Sequence, residues 1–154
     1  MNKGVVFSLN SSKTKGIPKT PISKALLIEG MGLAGDAHAA GGLRQVSLLS
    51  IESIRKQQEC IRIKKQGAAL QAGDFAENIT TEGVRLADLK IGDRLKVGGE
   101  ALLEISQIGK ECHTYCAIYR KTGDCIMPRE GIFARILKGG EVGAGEEIEV
   151  IENV

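Results

Sequence analysis

The sequence predicts a mainly β, barrel-like single domain with a few helices, and three observations carry that prediction. Short runs of alternating apolar and polar residues recur along the chain, bounded by turn residues. The 20 glycines fall in pairs and short clusters, as tight turns between strands require, not in a linker-like tract. Only one stretch keeps helical spacing for several turns.

The 154 residues suit one domain spanning 1–154, with a real core and no internal boundary. Hydrophobic content of 42% and charged content of 26% are ordinary for a globular protein. Phe7, Phe75, Tyr115, Tyr119 and Phe133 are the only aromatics, so the core must be aliphatic. That scarcity argues against a base-stacking nucleic-acid platform. A net charge of +2 is too small to point to nucleic acid or a membrane surface. No apolar run approaches the roughly 20 residues a bilayer span needs. The N-terminus lacks the apolar region of a signal peptide, so the expected location is cytoplasmic, with cysteines as thiols, metal ligands or redox groups.

In chain order, residues 3–9 read as a strand in which Val5 and Phe7 alternate with more polar neighbours. Residues 10–21 are a loop, 22–29 a strand expected to pair with the first, and 30–42 an irregular glycine-rich stretch. Residues 46–49 form a short buried strand. Ser50 is a good N-cap for a helix over 51–65, with Ile51, Ile54 and Ile61 near helical spacing and Gly67 as its stop. Cys60 sits on this helix and reads as a small packing or surface residue. Residues 73–83 give a turn, a short strand and another turn, and 84–89 a single helical turn. Residues 93–97 and 100–108 form a hairpin around Gly98-Gly99, a pair suited to a two-residue turn. Residues 112–119 suit a short helix, 131–137 a strand, 138–145 a glycine-rich turn region, and 147–151 a final strand.

The chemistry concentrates between Glu104 and Arg135, which bracket three of the four cysteines and one of the two histidines. Lys110, Arg120, Lys121, Arg129 and Arg135 supply positive charge there. A nucleophilic or sulfur-carrying cysteine must be a thiolate, which nearby cations or a helix N-terminus favour. Cys112 meets both conditions on paper, against the plain alternative of a buried inert thiol. Cys112, His113, Cys116 and Cys125 also invite a zinc site or a redox pair, although the spacing lacks the paired C-x-x-C form of zinc ribbons.

A second cluster, Gly35-Asp36-Ala37-His38 through Gly41-Gly42-Leu43-Arg44-Gln45, offers a carboxylate, an imidazole and a bidentate anion binder. The plain reading is a turn in which Asp36 caps backbone N–H groups and His38 is solvated. A third, Gly73-Asp74-Phe75-Ala76-Glu77-Asn78-Ile79, orients a ligand or simply closes a turn. In a fourth, Pro128-Arg129-Glu130-Gly131, Arg129 binds a phosphate, sustains a thiolate or is solvated. None of the glycine patterns matches a dinucleotide or P-loop motif.

Taken together and in this order, these clusters resemble the MOSC domain family, named after the C-terminal domain of molybdenum-cofactor sulfurase. The resemblance runs through Gly35-Asp36-x-His38, Arg44-Gln45-Val46-Ser47-Leu48-Leu49, Gly73-Asp74-Phe75-x-Glu77-Asn78-Ile79 and Leu89-x-x-Gly92-Asp93-x-Leu95-x-Val97-Gly98. It closes with Gly131-Ile132-Phe133-Ala134-Arg135-Ile136 and Gly140-x-Val142-x-x-Gly145-x-x-Ile148. Each piece is weak alone; the ordered set is specific. It implies a MOSC-type β-barrel-like fold of the small stand-alone kind and one central cysteine, which here falls on Cys112. In the family that cysteine is proposed to carry sulfur, or to ligate molybdenum where the molybdenum cofactor (molybdopterin) is bound. Pyridoxal phosphate belongs to partner cysteine desulfurases; no lysine here matches a Schiff-base position.

The chain departs from the family in two places. Many members place an Arg and a Pro just before the cysteine, whereas this chain has Ile108-Gly109-Lys110-Glu111, so that Lys110 stands in for the charge. Cys116 and Cys125 are additional to the usual single thiol and leave metal binding open. Larger oxidoreductase members carry an N-terminal domain for which these residues leave no room.

The expectation is therefore a sulfur carrier of sulfurtransferase type, with Cys112, His38 and His113 as catalytic residues. Asp36, Arg44, Glu77, Asn78, Lys110 and Arg129 are the expected cofactor-binding residues. Expected partners are a cysteine desulfurase and molybdenum-cofactor biosynthesis proteins or molybdoenzymes, not nucleic acid or a membrane. The alternatives are a molybdenum-dependent reductase of N-hydroxylated compounds with Cys112 on the metal, and a non-catalytic module steadied by zinc on Cys116 and Cys125.

Overall fold

A computed structural model describes residues 2–64, 70–109, 126 and 130–151, with backbone alone over 60–64. Seven strands close into a barrel: β1 (Lys3–Ser11), β11 (Glu147–Ile151), β7 (Arg94–Val97), β8 (Ala101–Ile108), β9 (Ile132–Lys138), β5 (Val46–Ser50) and β6 (Ile79–Glu82), which returns to β1. Short β2 (Thr20–Ile22) extends the sheet beyond β11 by pairing with the end of β1, Leu9 opposite Ile22. Closure leaves no free edge along the barrel wall, which a chain of short strands otherwise exposes.

Every barrel pair is antiparallel except β5–β6. A parallel pair cannot be joined by a tight turn and needs a crossover. That is the place of α1 (Ile51–Lys64) between β5 and β6. The Ser50 Oγ accepts the N–H of Ser53 at 3.0 Å, the expected N-cap. Gly67 and the side chains of Cys60 and Ile61 lie outside the described residues.

β5 is buried along its whole length because it has apolar layers on both faces. Val46 and Leu48 join Val6, Ile79, Leu103 and Ile105 in the barrel core. Leu49 points the other way, into a satellite core with Ile51, Ile54, Phe75, Ile126 and Phe133. The barrel core is wholly aliphatic among the described residues, and the two aromatics buried among them, Phe75 and Phe133, sit in the satellite.

Three expectations are corrected. Of the run 22–29, only Ile22 stays with the first strand; β3 (Lys24–Ile28) instead forms a small sheet with β10 (Gly140–Gly143) and β4 (Gly32–Leu33). Its alternating burial places Ala25 and Leu27 inward, and Val142 of β10 is fully buried opposite Ala25. The stretch 138–145, expected as turn, therefore contains a strand whose glycines accommodate close neighbours. The β7–β8 hairpin closes Val97 on Ala101, so its loop has three residues, Gly98-Gly99-Glu100, and only Gly98 of the two glycines takes positive φ, at 67°. The helical turn expected at 84–89 is a single 3-10 turn, Leu86–Asp88. Among the described residues, no helix is long and apolar enough to cross a membrane.

Candidate functional site

Lys19 gathers the first part of the site. It lies between two prolines in the β1–β2 connection, and its side chain is 0% exposed. Its Nζ donates to Asp36 Oδ1 at 2.7 Å and meets His38 Nδ1 at 2.9 Å. Asp36 also accepts the N–H of Ser12 at 3.0 Å on Oδ1 and that of His38 at 3.0 Å on Oδ2. The capping reading of the 35–38 motif therefore holds, and Asp36 also pairs with a buried cation that the motif does not contain.

Burial alone would raise the pKa of Asp36. The Lys19 ammonium and the backbone N–H groups of Ser12 and His38 outweigh it and hold the carboxyl well below the usual carboxylate range. His38 Nδ1 stands 3.6 Å from Asp36 Oδ2, too far for a hydrogen bond.

The 73–78 loop meets this cluster through its backbone. Lys19 N–H donates to the Gly73 carbonyl at 2.7 Å. A Cβ on Gly73 would lie 2.2 Å from the Lys19 carbonyl oxygen, and its φ is +91°, so only glycine fits this crossing. Gly73 N–H in turn donates to Glu77 Oε2 at 2.9 Å, Thr80 Oγ1 lies 2.6 Å from the same oxygen, and Phe75 N–H donates to Oε1 at 3.2 Å. Glu77 is fully buried and has no ion-pair partner among the described residues. Burial pushes its pKa up to about 7 against the lowering effect of those hydrogen bonds.

Asn78 locks the loop to the barrel. Its Oδ1 accepts Ser47 N–H at 3.0 Å, its own N–H donates to Ser47 O at 3.0 Å, and Asn10 N–H donates to its carbonyl at 2.8 Å. Asn10 Nδ2 continues the network to Glu77 O and Thr80 Oγ1. Asp36, His38, Glu77 and Asn78, named from separate motifs, thus form one polar network with Lys19, Asn10, Thr80 and Ser47. Asn78 and Glu77 face inward, and His38 alone of the four is partly exposed, at 36% of its side chain.

Arg44 lies apart from the network. It is exposed, and its guanidinium sits over the Phe133 ring at 5.9 Å. Phe133 follows Ile132, which pairs with Ile108 at the root of the β8–β9 connection. Gly109 N–H to Gly131 O, at 2.7 Å, closes that root. Ile126, from inside the connection, packs in the satellite core with Phe75 and Phe133. The satellite core therefore joins the Arg44 segment, the 73–78 loop and the connection that carries the cysteines.

Cys112, His113, Cys116, Cys125, Lys110 and Arg129 lie outside the described residues, as does the helix expected over 112–119. Arg135, one of the cations noted near the thiols, is bound to Glu104 at 2.5 Å, and Arg94 reaches the same carboxylate. No group of three or more His, Cys, Asp or Glu side chains is placed to hold a metal among the described residues.

The model of the MOSC domain matches residues 35–149. The chain belongs to the MOSC domain family. This is a family linked to the molybdenum cofactor. Similar solved structures show the same fold. YuaD from Bacillus subtilis aligns with a TM-score of 0.76 at 20% identity, covering 99% of this chain and 97% of that one. YiiM from Geobacillus stearothermophilus aligns at 0.73 and 23% identity, covering 97% and 75%. YiiM from Escherichia coli aligns at 0.71 and 19%, covering 98% and 71%. No curated protein matches the chain. The MOSC match begins at the Gly35-Asp36 motif, so Lys19, which organises that motif in space, precedes it.

Proposed function

We propose that this MOSC domain is a cytoplasmic sulfur carrier that binds the pterin-based molybdenum cofactor, or a precursor, and delivers sulfur through a persulfide on Cys112. The observation that supports the reading is the placement of Arg44. Its charge is engaged by no carboxylate among the described residues, and it lies on Phe133 at the root of the connection bearing Cys112.

The donor set fits the anionic part of such a cofactor. A planar guanidinium with one face on an aromatic ring keeps its N–H edges for a phosphate. The described residues offer no metal cluster, so a metal would rely on the Cys112 thiolate. When bound, the cofactor supplies a sulfur acceptor or a redox metal. The chain's own residues would bind and orient it: Arg44 and Arg129 would hold phosphate, Lys110 would balance the charge of the Cys112 thiolate, and the network of Asp36, Glu77 and Asn78 would fix the loops that carry them. His38 and His113 are the groups that hold or hand on a proton.

In the loading step the Cys112 thiolate attacks the outer sulfur of a persulfide on a cysteine desulfurase. A new S–S bond forms on Cys112 as the donor's S–S bond breaks, and the donor leaves as a thiolate. Incubation of the full chain with a desulfurase, its pyridoxal phosphate and cysteine is expected to add about 32 Da, one sulfur atom, to the Cys112 peptide. Cys112→Ser abolishes the adduct. The reading fails if that variant accepts sulfur and binds the cofactor as well as wild type.

A further inference from the structure

We propose that Lys19 is a positioning residue that holds His38 as its Nε2–H tautomer, so that the imidazole offers a fixed N–H donor to an oxyanion. The extension to a ligand rests on the proposed cofactor binding; the tautomer does not.

An ammonium has only donors. At 2.9 Å from Lys19 Nζ, His38 Nδ1 must therefore supply the lone pair. The Asp36 carboxylate, at 3.6 Å, takes no proton from that nitrogen. A neutral imidazole carries one N–H, which leaves it on Nε2, the ring position away from the lysine. Asp36 Oδ2 meanwhile accepts the backbone N–H of His38, so the carboxylate fixes the main chain and the lysine fixes the ring.

The more familiar pairing has a carboxylate on Nδ1–H, which leaves a lone pair on Nε2 and makes the outer nitrogen a base. A lysine in that place inverts the outcome, and the outer nitrogen becomes a donor. Lys19 and Asp36 are 0% and 1% exposed at the side chain, and His38 is 36% exposed. The imidazole is thus the only member of the cluster that reaches solvent. A single N–H beside a charge-balanced ion pair suits an acceptor such as a phosphate oxygen.

The chain has two histidines, so imidazole 15N–1H correlation of the labelled full-length protein is readable, and His38→Gln identifies the His38 signals. The expected spectrum shows His38 in one tautomer, Nε2 protonated and Nδ1 shifted as a hydrogen-bonded acceptor. In Lys19→Met/Asp36→Asn, which removes both buried charges together, the Nδ1 shift is lost and the ring exchanges between tautomers. Inorganic phosphate added to wild type moves the Nε2–H signal. Protonated Nδ1 in wild type, or unchanged His38 ring shifts in the folded double variant, overturns the assignment. The wild-type spectrum decides that point even if the double variant does not fold. An Nε2–H signal indifferent to phosphate overturns the ligand class. Loss of the sulfur adduct on Cys112 would leave the tautomer standing, and the reverse also holds, so the two readings fail separately.

Discussion

Two carboxylates are buried on loops that touch, and only one of them meets a cation. Asp36 has Lys19 Nζ at 2.7 Å and two backbone N–H groups. Glu77, one backbone hydrogen bond away through Lys19 N–H and Gly73 O, has hydrogen-bond partners and no cation among the described residues. Burial is common to both. With Lys19 and two backbone N–H groups on it, Asp36 is held well below its usual value of 3.8, while at Glu77 burial outweighs the hydrogen bonds and pushes the carboxyl up to about 7. Burial and hydrogen bonds alone do not make a carboxylate a strong acid, and the sequence neighbours of these two residues do not distinguish them.

The largest expected effect comes from removing the cation. Lys19→Met leaves Asp36 as a buried charge without a partner and is expected to cost about 4 kcal/mol, read from urea unfolding. Lys19→Met/Asp36→Asn removes both charges and should recover at least half of that loss. Equal loss in the single and double variants would mean that the ion pair does not account for the stability of this corner.

The two carboxylates also predict opposite pH dependences. Asp36 has a depressed native pKa, so its contribution is present above about 3.8 and is lost as pH falls below it. Glu77 has a raised native pKa: its native state holds the proton more tightly than the unfolded chain. Its contribution is present below about 4.5 and is lost as pH rises toward about 7. Glu77→Gln should therefore remove a fall in stability between those limits that is on the order of 3 kcal/mol in wild type. The amide costs something at every pH, because it cannot accept from Gly73, Thr80 and Phe75 together. The slope and not the level is the readout, and a slope unchanged by the substitution would show that Glu77 is ionised throughout.

These contrasts explain what could be read from the chain and what could not. Alternation predicted β9 and β11 within a residue, and Ser50 marked the start of α1, because those signals are local. The ordered motifs marked the loops of the network, since a close backbone crossing such as Gly73 on Lys19 demands a particular residue. β10 reads as turn in the sequence because its glycines suit turns and its partner β3 is far away along the chain. Lys19 could not be singled out from Lys13 and Lys15 in the same connection. Burial of a lysine is a tertiary property, and nothing in its immediate sequence encodes the aspartate that meets it.

The smallest stability effect is expected at Arg44, and there the contrast between committed and available cations is sharpest. Lys19 is committed to Asp36; Arg44 touches a ring and leaves its N–H edges open. An exposed cation–π contact is worth about 0.5 kcal/mol, so Arg44→Met should shift urea unfolding by no more than that. Its charge-assisted bonds to a phosphate are worth more, and binding of the pterin cofactor should weaken by roughly tenfold or more. Arg55 provides the control. It stacks on Phe7 at 5.5 Å, in the same kind of contact, but pairs with Glu82 at 3.5 Å on the face of α1. Arg55→Met should match the small stability change and leave binding unaltered. Equal weakening of binding by both substitutions would mean that Arg44 acts through general charge, whereas a loss confined to Arg44→Met ties the anion to the root of the cysteine connection.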